Sequence, residues 1–400
     1  MGIMKEILFL AHRIPYPPDK GDKIRSFHIL KYLTESYRVF LGAFVDDRED
    51  WRHAAKVRAL CAETCLLPLP PLLGKLRSLV GLCNGAPLSV PYYFDRRMAT
   101  WVEKLMVSRH VGAIVVFSSA MAQYAEKFSS LPRIIDFVDV DSDKWRQYAA
   151  SKRWPGRWIY RREAERLLRF DRRIARTFDR ALFVSQEEAE LFARLAPESA
   201  ARVMAMENGV DSGYFCASAE YPSPYPDDAE VMVFTGAMDY WANVDAVTWF
   251  AGEVFPEVRR RRPKAFFYVV GARPVGAVRA LGGREGIVVT GKVPDVRPYL
   301  KHARLAVAPL RIARGVQNKV LEAMAMGRPV VASPAAMEGI QADPALVGVR
   351  VVERAPDWRE AVLAFLETGG REGIGNREFV LERHSWEVSL ARLGRLLEAV

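Results

Sequence analysis

The sequence lacks any apolar run long enough to cross a bilayer. A membrane-spanning helix needs roughly 20 apolar residues, and no segment of the 400 residues approaches that length. The apolar run near the amino end stops at Leu10 or Ala11 and is followed by no cleavage site, so it predicts a first buried strand rather than a signal peptide. We therefore expect a cytoplasmic protein that at most rests on the inner face of the cytoplasmic membrane.

The sequence is also poor in cysteine. The four cysteines, Cys61, Cys65, Cys83 and Cys216, show no paired metal-ligand spacing, and a lone C-x3-C is a weak signal. They are expected to be reduced thiols, as in a cytoplasmic protein. No internal repeat and no long low-complexity segment is present. The sequence therefore gives no sign of a zinc site, a disulfide scaffold or a repeat array.

What the chain does have is the size and composition of a globular protein with two domains. Four hundred residues are too many for one ordinary core. Half of the residues are apolar and a quarter are charged, with a formal net charge of +10. This charge indicates acidic partners, which could be nucleic acid, anionic lipid or phosphorylated small molecules.

Predicted strands alternate with helices almost throughout. Short apolar runs followed by turn residues are typical of parallel strands that are covered on both faces. The predicted strands are residues 5–11, 39–43, 113–117, 133–136, 180–185, 231–235, 266–270, 286–290, 305–309 and 329–333. The Pro-rich segment "AEYPSPYPDD" separates the first five from the last five. We expect an α/β protein with two doubly wound domains, residues 1–206 and 207–380, and a helix over 381–400 that crosses back to the first domain.

Ligands of doubly wound sheets bind beyond the carboxyl ends of the strands, so the loops there are the candidate sites. In the first loop, "AHRIPYPPDKGDKIRSF", Gly21 can let the backbone approach a ligand, and Asp22 is a predicted N-cap. The helix that begins there offers free N–H groups to an anion. An ordinary β-to-α turn is the alternative.

The segment "RLAVAPLRIARGVQNKVLEAMAMGRPVVAS" carries the strongest signal. It predicts a strand, a loop, and a helix that Asn318 caps and Gly327 ends. Arg311, Arg314 and Lys319 would then surround a helix N-terminus at the ligand edge, where they suit a dianionic phosphate group.

Glu322 lies three residues after Lys319 in the predicted helix. Its carboxylate could accept hydrogen bonds from vicinal hydroxyls such as those of ribose. The alternative is an ordinary surface pair on a helix, which would contribute only a few tenths of a kcal/mol.

These residues carry a family resemblance. "NKVLEAMAMGRPVVAS" resembles the donor-site segment of the retaining glycosyltransferases of family 4, which have the GT-B fold, two Rossmann-like domains facing across a cleft. "RALFVSQEEAELF", "VMAMENGVDSGYF", "VFTGAMDYWANVDAVTWF" and "VTGKVPDVRPYLKHARLAVAPL" are similar to further segments of that family. "HRIPYPPDKGDKIRSFHIL" and "IIDFVDVDSDKW" resemble a branch found beside exopolysaccharide and PEP-CTERM/exosortase gene sets.

The resemblance implies transfer of a sugar from a nucleotide diphosphate sugar to a glycan or lipid-linked acceptor, with retention and without a metal ion or other cofactor. Arg311 and Lys319 would stabilise the leaving diphosphate. The donor-binding residues would be Gly21, Gly236, Gly291, Val293, Arg314, Val320 and Glu322.

One position departs from the family pattern. The family commonly has two glutamates separated by seven residues, and Glu322 matches the second, but Arg314 stands at the first. In the family the first glutamate lies beside the donor sugar. Arg314 would instead add a cation to the phosphate site, so the identity of the sugar is not predicted.

Two overlapping D-x-D triplets lie in "DFVDVDSDKW", residues 136–145. Such carboxylates can hold Mg²⁺ or Mn²⁺ with a nucleotide diphosphate. Because they follow a strand of the first domain, we prefer Asp139 or Asp141 as an acceptor-side group that takes the proton of the acceptor hydroxyl. An acidic loop that caps the next helix is the alternative.

Two segments suggest contact with a membrane surface. Residues 151–180 contain eleven Lys or Arg against four Asp or Glu, with tryptophans near one end, and residues 68–82 are apolar with two cations. A basic helix with an aromatic end and an apolar flap could rest on anionic lipid. A solvated charged face is the alternative.

Three other functions compete with the transferase. A nucleotide-sugar epimerase of the same fold would convert its substrate without an acceptor. A nucleic-acid binder would explain the charge, but no basic strand interleaved with aromatic residues supports it. A non-catalytic sugar-nucleotide binding protein would keep Lys319 and Glu322 and transfer nothing.

Overall fold

The computed structural model describes residues 4–18, 21–151, 153–313, 316–340, 348–370 and 373–399. The chain divides into two compact units. The first consists of residues up to Glu207 together with those from Leu390 onward, and the second is Asn208–Ser389. Each unit has its own sheet and its own hydrophobic core.

The first unit is built on a sheet of seven parallel strands. The strands are β1 (Glu6–Ala11), β2 (Arg38–Val45), β3 (Glu63–Pro68), β4 (Val111–Phe117), β5 (Arg133–Val138), β6 (Arg180–Phe183) and β7 (Val203–Ala205). Their order in the sheet is β3-β2-β1-β4-β5-β6-β7. The order reverses between β1 and β4, which is where a doubly wound sheet opens a crevice for a ligand.

Helices connect these strands, as parallel pairing requires. They are α1 (Gly21–Ser36), α2 (Ala54–Leu60), α3 (Pro71–Asn84), α4 (Ser89–Tyr92), α5 (Arg96–Ser108), α6 (Asp141–Ser151), α7 (Gly156–Thr177) and α8 (Gln186–Leu195). Short 3₁₀ turns lie at Arg48–His53, Ser119–Tyr124 and Pro197–Arg202.

The second unit repeats the plan with six parallel strands. They are β8 (Glu230–Thr235), β9 (Ala265–Val270), β10 (Ile287–Gly291), β11 (Leu305–Ala308), β12 (Val330–Ala332) and β13 (Val349–Val351). Their order is β10-β9-β8-β11-β12-β13, so this sheet reverses between β8 and β11.

The helices of the second unit lie between these strands and after them. They are α9 (Trp241–Trp249), continued by a π-helical turn at Phe250–Val254, α10 (Phe255–Arg261), α11 (Gly276–Leu281), α12 (Arg297–His302), α13 (Asn318–Ala325), α14 (Pro334–Met337), α15 (Ala355–Glu367), α16 (Ile374–Arg383) and α17 (Trp386–Ala399). Helix α17 begins in the second unit, and its residues from Leu390 belong to the first.

All ten predicted strands are present, and the prediction of two doubly wound α/β sheets is confirmed. The three strands that the sequence did not predict, β3, β7 and β13, all lie at sheet edges. They are short or partly exposed. An edge strand of this kind lacks the continuous apolar run by which a central parallel strand is recognised.

Two predicted helix caps are wrong, by two residues in α1 and by one in α13. Asp22 is the second residue of α1 rather than its cap. Asn318 is the first residue of α13, and the capping position is held by Gln317, whose side chain makes no capping hydrogen bond. The other end of α13 is as predicted, since Gly327 follows the helix with a φ of +66°, the left-handed conformation that glycine adopts without strain.

Among the residues that the structure describes, no helix combines the length and the apolar character needed to cross a bilayer.

Candidate active site

Three glycines line the carboxyl edge of the second sheet. Gly236, Gly271 and Gly291 end or follow the neighbouring strands β8, β9 and β10, with φ of +153°, +155° and +69°. A Cβ at Gly271 would lie 1.7 Å from the carbonyl oxygen of Gly236, whereas a Cβ at Gly291 would meet nothing within 4 Å. The close approach at Gly271 requires glycine, and the open space beside Gly291 leaves room for a ligand.

Gly236 and Gly291 were predicted as donor-binding residues, but Gly271 was missed. Its signal in the sequence was a glycine directly after the apolar run of β9.

Lys319 lies at the same edge, close to Gly236. Its Nζ donates a hydrogen bond of 2.5 Å to Oδ1 of Asn243 and lies 4.7 Å from the centre of the Phe234 ring. A Cβ at Gly236 would lie 3.6 Å from this ammonium group. The structure therefore brings two predicted residues together beside the point where the strand order reverses.

Asn243, on α9, is a residue of the site that the sequence did not reveal. Its Nδ2 donates to the carbonyl oxygen of Ala237 at 2.9 Å, which orients Oδ1 toward Lys319. Asn243 is almost fully buried, with 4% of its surface exposed. It therefore holds the ammonium group in a defined place.

Lys319 and Glu322 are opposite charges in a poorly solvated place. Burial lowers the pKa of the Lys319 ammonium to about 8, although Glu322 counteracts this. Burial also raises the pKa of the Glu322 carboxyl to about 7, against the attraction of Lys319. Because desolvation outweighs their mutual attraction, the pair can gain from a ligand that supplies an anion and hydroxyl groups.

Arg311 lies in the loop after β11 and is largely exposed. Its guanidinium forms a two-point ion pair with Asp245 of α9: Nε lies 2.9 Å from Oδ2, and Nη2 contacts Oδ1. This hydrogen bonding raises the pKa of Arg311. A phosphate group at Arg311 would have to compete with Asp245.

The other predicted donor residues have varied surroundings. Arg314 lies outside the described residues. Val320 is buried in the core, and its backbone N–H donates to the carbonyl oxygen of Gln317 at 2.9 Å. Val293 is half-buried against the core of the second unit. Gly21 begins α1 in the first unit, where an added Cβ would meet nothing within 4 Å.

The carboxyl edge of the first sheet carries a network of paired charges. His12 follows β1; its Nε2 lies 3.3 Å from Oδ2 of Asp22, and the same oxygen lies 2.9 Å from Nη1 of Arg13. Burial opposes ionisation of Asp22, but His12 and Arg13 outweigh it and lower the pKa of this carboxyl. The His12 ring stacks on Phe117, the last residue of β4, with 5.7 Å between ring centres. The sequence did not reveal this network.

Asp139 and Asp141 follow β5 in the first unit and share one cation. Lys144 Nζ lies 2.6 Å from Asp139 Oδ2 and 3.3 Å from Asp141 Oδ1. Burial raises the pKa of Asp141. Asp136, three residues before Asp139, is instead fully buried in an ion pair of 2.7 Å with Arg25. In the described part of the chain, no three acidic, His or Cys side chains cluster in a way that could hold a metal ion.

A family comparison covers most of the second unit. Residues 229–368 match the family described as Glycosyl transferases group 1. This range includes the glycine-lined edge and the Lys319–Glu322 pair. Residues 229–368 form a glycosyltransferase domain. The prediction of a transferase enzyme is confirmed. The chain has no significant sequence match among curated proteins.

Solved structures resemble the whole chain at low sequence identity. Sucrose-phosphate synthase from Thermosynechococcus elongatus is 16% identical, with a TM-score of 0.67 over 99% of this chain and 98% of that one. Anabaena HepE in complex with UDP is 16% identical, with a TM-score of 0.65 over 99% and 100%. WaaG, a glycosyltransferase of lipopolysaccharide biosynthesis, is 14% identical, with a TM-score of 0.61 over 96% and 98%. The predicted GT-B fold is confirmed.

Proposed function

We propose that this protein transfers a sugar from a nucleotide diphosphate sugar to a glycan or lipid-linked acceptor, with retention, as a family 4 enzyme of exopolysaccharide or cell-surface glycan synthesis. The observation that carries the proposal is the half-buried Lys319–Glu322 pair beside Gly236, within the glycosyltransferase domain. Two structural neighbours add support, since HepE was solved with UDP and WaaG acts in lipopolysaccharide synthesis.

The donor half of the reaction would use the cations of the second unit. When the bond between the anomeric carbon and the diphosphate oxygen breaks, negative charge grows on the leaving diphosphate. Lys319 and the amino end of α13 would stabilise that charge more in the transition state than in the ground state. Arg311 would join them by breaking its ion pair with Asp245 and pairing with the phosphate instead. Glu322 would accept hydrogen bonds from the ribose hydroxyls.

The acceptor half would use the first unit. The acceptor oxygen forms the new bond to the anomeric carbon, and its proton must leave. Asp139, about one-third exposed, is our candidate to take that proton, with Asp141 as the alternative. We expect no metal ion to be required, because Lys319 and Arg311 would balance the charge of the diphosphate.

We also propose that the first unit rests on an anionic membrane surface. Helix α3 exposes a row of apolar side chains, and the start of α7 exposes Trp158 and many arginines. Apolar and aromatic groups beside cations suit a lipid surface with anionic headgroups. The exposed apolar residues of α3 are Leu72, Leu73, Leu76, Leu79, Val80 and Leu82.

Flotation with phosphatidylglycerol and phosphatidylcholine vesicles tests this membrane contact. We expect the protein to float with the anionic vesicles and to be released by salt, and the double variant L76S/L79S to stay at the bottom of the gradient. Equal flotation of the wild type and the variant would refute the contact.

Thermal-shift screening against UDP, GDP, CMP and their common sugars, with and without EDTA, tests the donor site. A ligand that binds only the folded state raises the melting temperature. We expect one nucleoside diphosphate and its sugar to stabilise the protein, unchanged by EDTA. A shift abolished by EDTA would contradict a metal-free site, and no shift with any nucleotide would contradict the donor site itself. If the protein converts the nucleotide sugar without an acceptor, the result would favour the epimerase. If it binds the nucleotide sugar but transfers no sugar, the result would favour the non-catalytic protein.

A further inference from the structure

The first unit contains an aromatic pocket of about 380 Å³. It lies between α3, α4, α6 and α7, and its walls include Tyr92, Tyr93, Trp145, Ile159 and Tyr160. Trp145 and Tyr160 stack with 5.3 Å between ring centres. This volume is within the range of roughly 300–1,000 Å³ that is usual for pockets that bind small molecules.

The pocket adjoins the end of the first sheet where we place the acceptor. Tyr93 meets the ring of His12 edge-on, with 5.7 Å between ring centres, and His12 directly follows β1. Trp145 lies one turn beyond Asp141 in α6. A molecule in the pocket could therefore extend to the carboxyl groups of Asp139 and Asp141.

Several polar groups that line the pocket are already bonded to the protein. The Glu163 carboxylate accepts hydrogen bonds from the backbone N–H of Leu88 (2.5 Å) and Ser89 (3.0 Å) and from the Ser89 hydroxyl (2.9 Å). The Ser78 hydroxyl donates to the carbonyl oxygen of Gly74 at 3.1 Å. A sugar rich in hydroxyl groups would find these partners engaged, whereas an apolar chain needs only the aromatic walls.

The pocket opens toward the apolar surface of the first unit. Ile159 lines it and is 39% exposed, and the next residue toward the amino end, Trp158, is 56% exposed. Arg162 of α7 donates a hydrogen bond of 2.5 Å from Nη2 to the carbonyl oxygen of Gly81 in α3. This contact holds the start of α7 beside the helix that exposes the leucines. An apolar chain could therefore pass from the exposed surface into the pocket.

We propose that this pocket binds the apolar chain, isoprenoid or acyl, of a lipid-linked acceptor. The chain would pack against Trp145 and Tyr160, while the polar head of the acceptor would lie at the end of the sheet, near Asp139. The inference rests on the proposed transferase function, because only a transferase has an acceptor. Binding of the apolar chain itself does not depend on the donor.

The test is the binding of farnesyl phosphate to the full-length protein, measured by calorimetry below the concentration at which this probe forms micelles. We expect Trp145→Ala to weaken binding at least tenfold. Trp154→Ala, which removes an exposed tryptophan that does not line the pocket, should change the dissociation constant less than twofold. Equal affinity in the wild type and in Trp145→Ala would overturn the proposal.

A second variant covers the case in which Trp145→Ala does not fold. Ser78→Phe adds a ring at the pocket wall without removing any aromatic residue, and it should also weaken binding of farnesyl phosphate at least tenfold. Methyl phosphate, which has the head but no chain, should not bind measurably. Binding of methyl phosphate as tight as that of farnesyl phosphate would show that the head alone is recognised and would overturn the proposal.

A soluble trisaccharide serves as the competing probe. If it binds to the wild type and the binding is lost in Trp145→Ala, the pocket holds a glycan and the proposal is wrong. Nucleotide-dependent thermal stabilisation, measured on the same samples, separates the two inferences. Nucleotide binding without farnesyl phosphate binding would contradict only the chain pocket, and the reverse would contradict only the proposed donor site.

Discussion

The two sheets of the protein end in edges of opposite character. At the edge of the second sheet, three glycines end or follow neighbouring strands, and burial disfavours the charged form of both Lys319 and Glu322. At the edge of the first sheet the acids are already matched with cations, Asp22 with Arg13 and Asp139 with Lys144. At the second sheet burial outweighs the attraction between Lys319 and Glu322, whereas at the first sheet a cation is hydrogen-bonded to each of these acids.

The difference indicates what each edge is suited to bind. A poorly solvated ammonium group at the amino end of a helix gains most from a strongly charged ligand such as a diphosphate. A balanced network beside aromatic rings changes little when a neutral or apolar molecule arrives, and it can orient a hydroxyl group. We therefore assign the donor to the second sheet and the acceptor to the first.

The largest effect is expected from Gly271→Ala, which would close the glycine-lined edge. The added Cβ would meet the Gly236 carbonyl oxygen at 1.7 Å, and a φ of +155° strains any other residue. We expect a loss of at least about 3 kcal/mol in the free energy of unfolding. Urea denaturation measures it. Gly276→Ala, at a position where a Cβ meets nothing within 4 Å, is the control and should change stability by less than about 0.5 kcal/mol.

Lys319→Ala should lower turnover at least tenfold, about 1.4 kcal/mol of transition-state stabilisation, without unfolding the protein. Arg311→Ala should also lower it at least tenfold, because the same diphosphate loses its second cation. Steady-state transfer assays with the donor found by thermal shift measure both. The matched control is Lys264→Ala, which removes an exposed lysine of the same unit. Wild-type rates in the first two variants would refute the role of these cations.

The pH dependence of donor binding should have two limbs. Below about pH 7 the Glu322 carboxyl becomes protonated, and above about pH 8 the Lys319 ammonium loses its proton. Affinity for a nucleotide diphosphate sugar should therefore be highest between these values and fall up to tenfold per pH unit outside them. Calorimetry across pH 5.5–9.5 measures this affinity, over a range that extends roughly 1.5 pH units beyond each limb.

Two variants sharpen the pH experiment. Glu322→Gln should remove the acidic limb and keep the alkaline one, and Lys319→Ala should do the opposite. A wild-type affinity that does not change across this range would show that the pair does not contact the donor.

The smallest effect is expected in the first unit. Asp139→Asn removes one of two carboxylates that share Lys144, so Asp141 can replace part of its function. We expect transfer to fall about threefold, roughly 0.7 kcal/mol, while the affinity for the donor stays unchanged. An equal loss of donor affinity would contradict the assignment of the two edges to donor and acceptor.

The sequence predicted the central strands and the cluster around α13, because both depend on local patterns. The apolar runs of β1 and β8 and the spacing of Lys319 and Glu322 are visible within a few residues. Contacts between distant residues were not predicted. Asn243 is 76 positions from Lys319, and Asp136 is 111 positions from Arg25. No local pattern shows that such side chains meet, so the orientation of Lys319 and the buried ion pair of Asp136 became visible only in the folded chain.

The most direct test is a crystal structure of the protein with the nucleoside diphosphate that raises its melting temperature most. We predict that the diphosphate lies against Lys319 Nζ and the backbone of Gly236, and that the ribose hydroxyls donate to the Glu322 carboxylate. A nucleotide bound anywhere else on the chain, with Lys319 still donating to Asn243 and Glu322 without a ligand, would contradict the donor site proposed here.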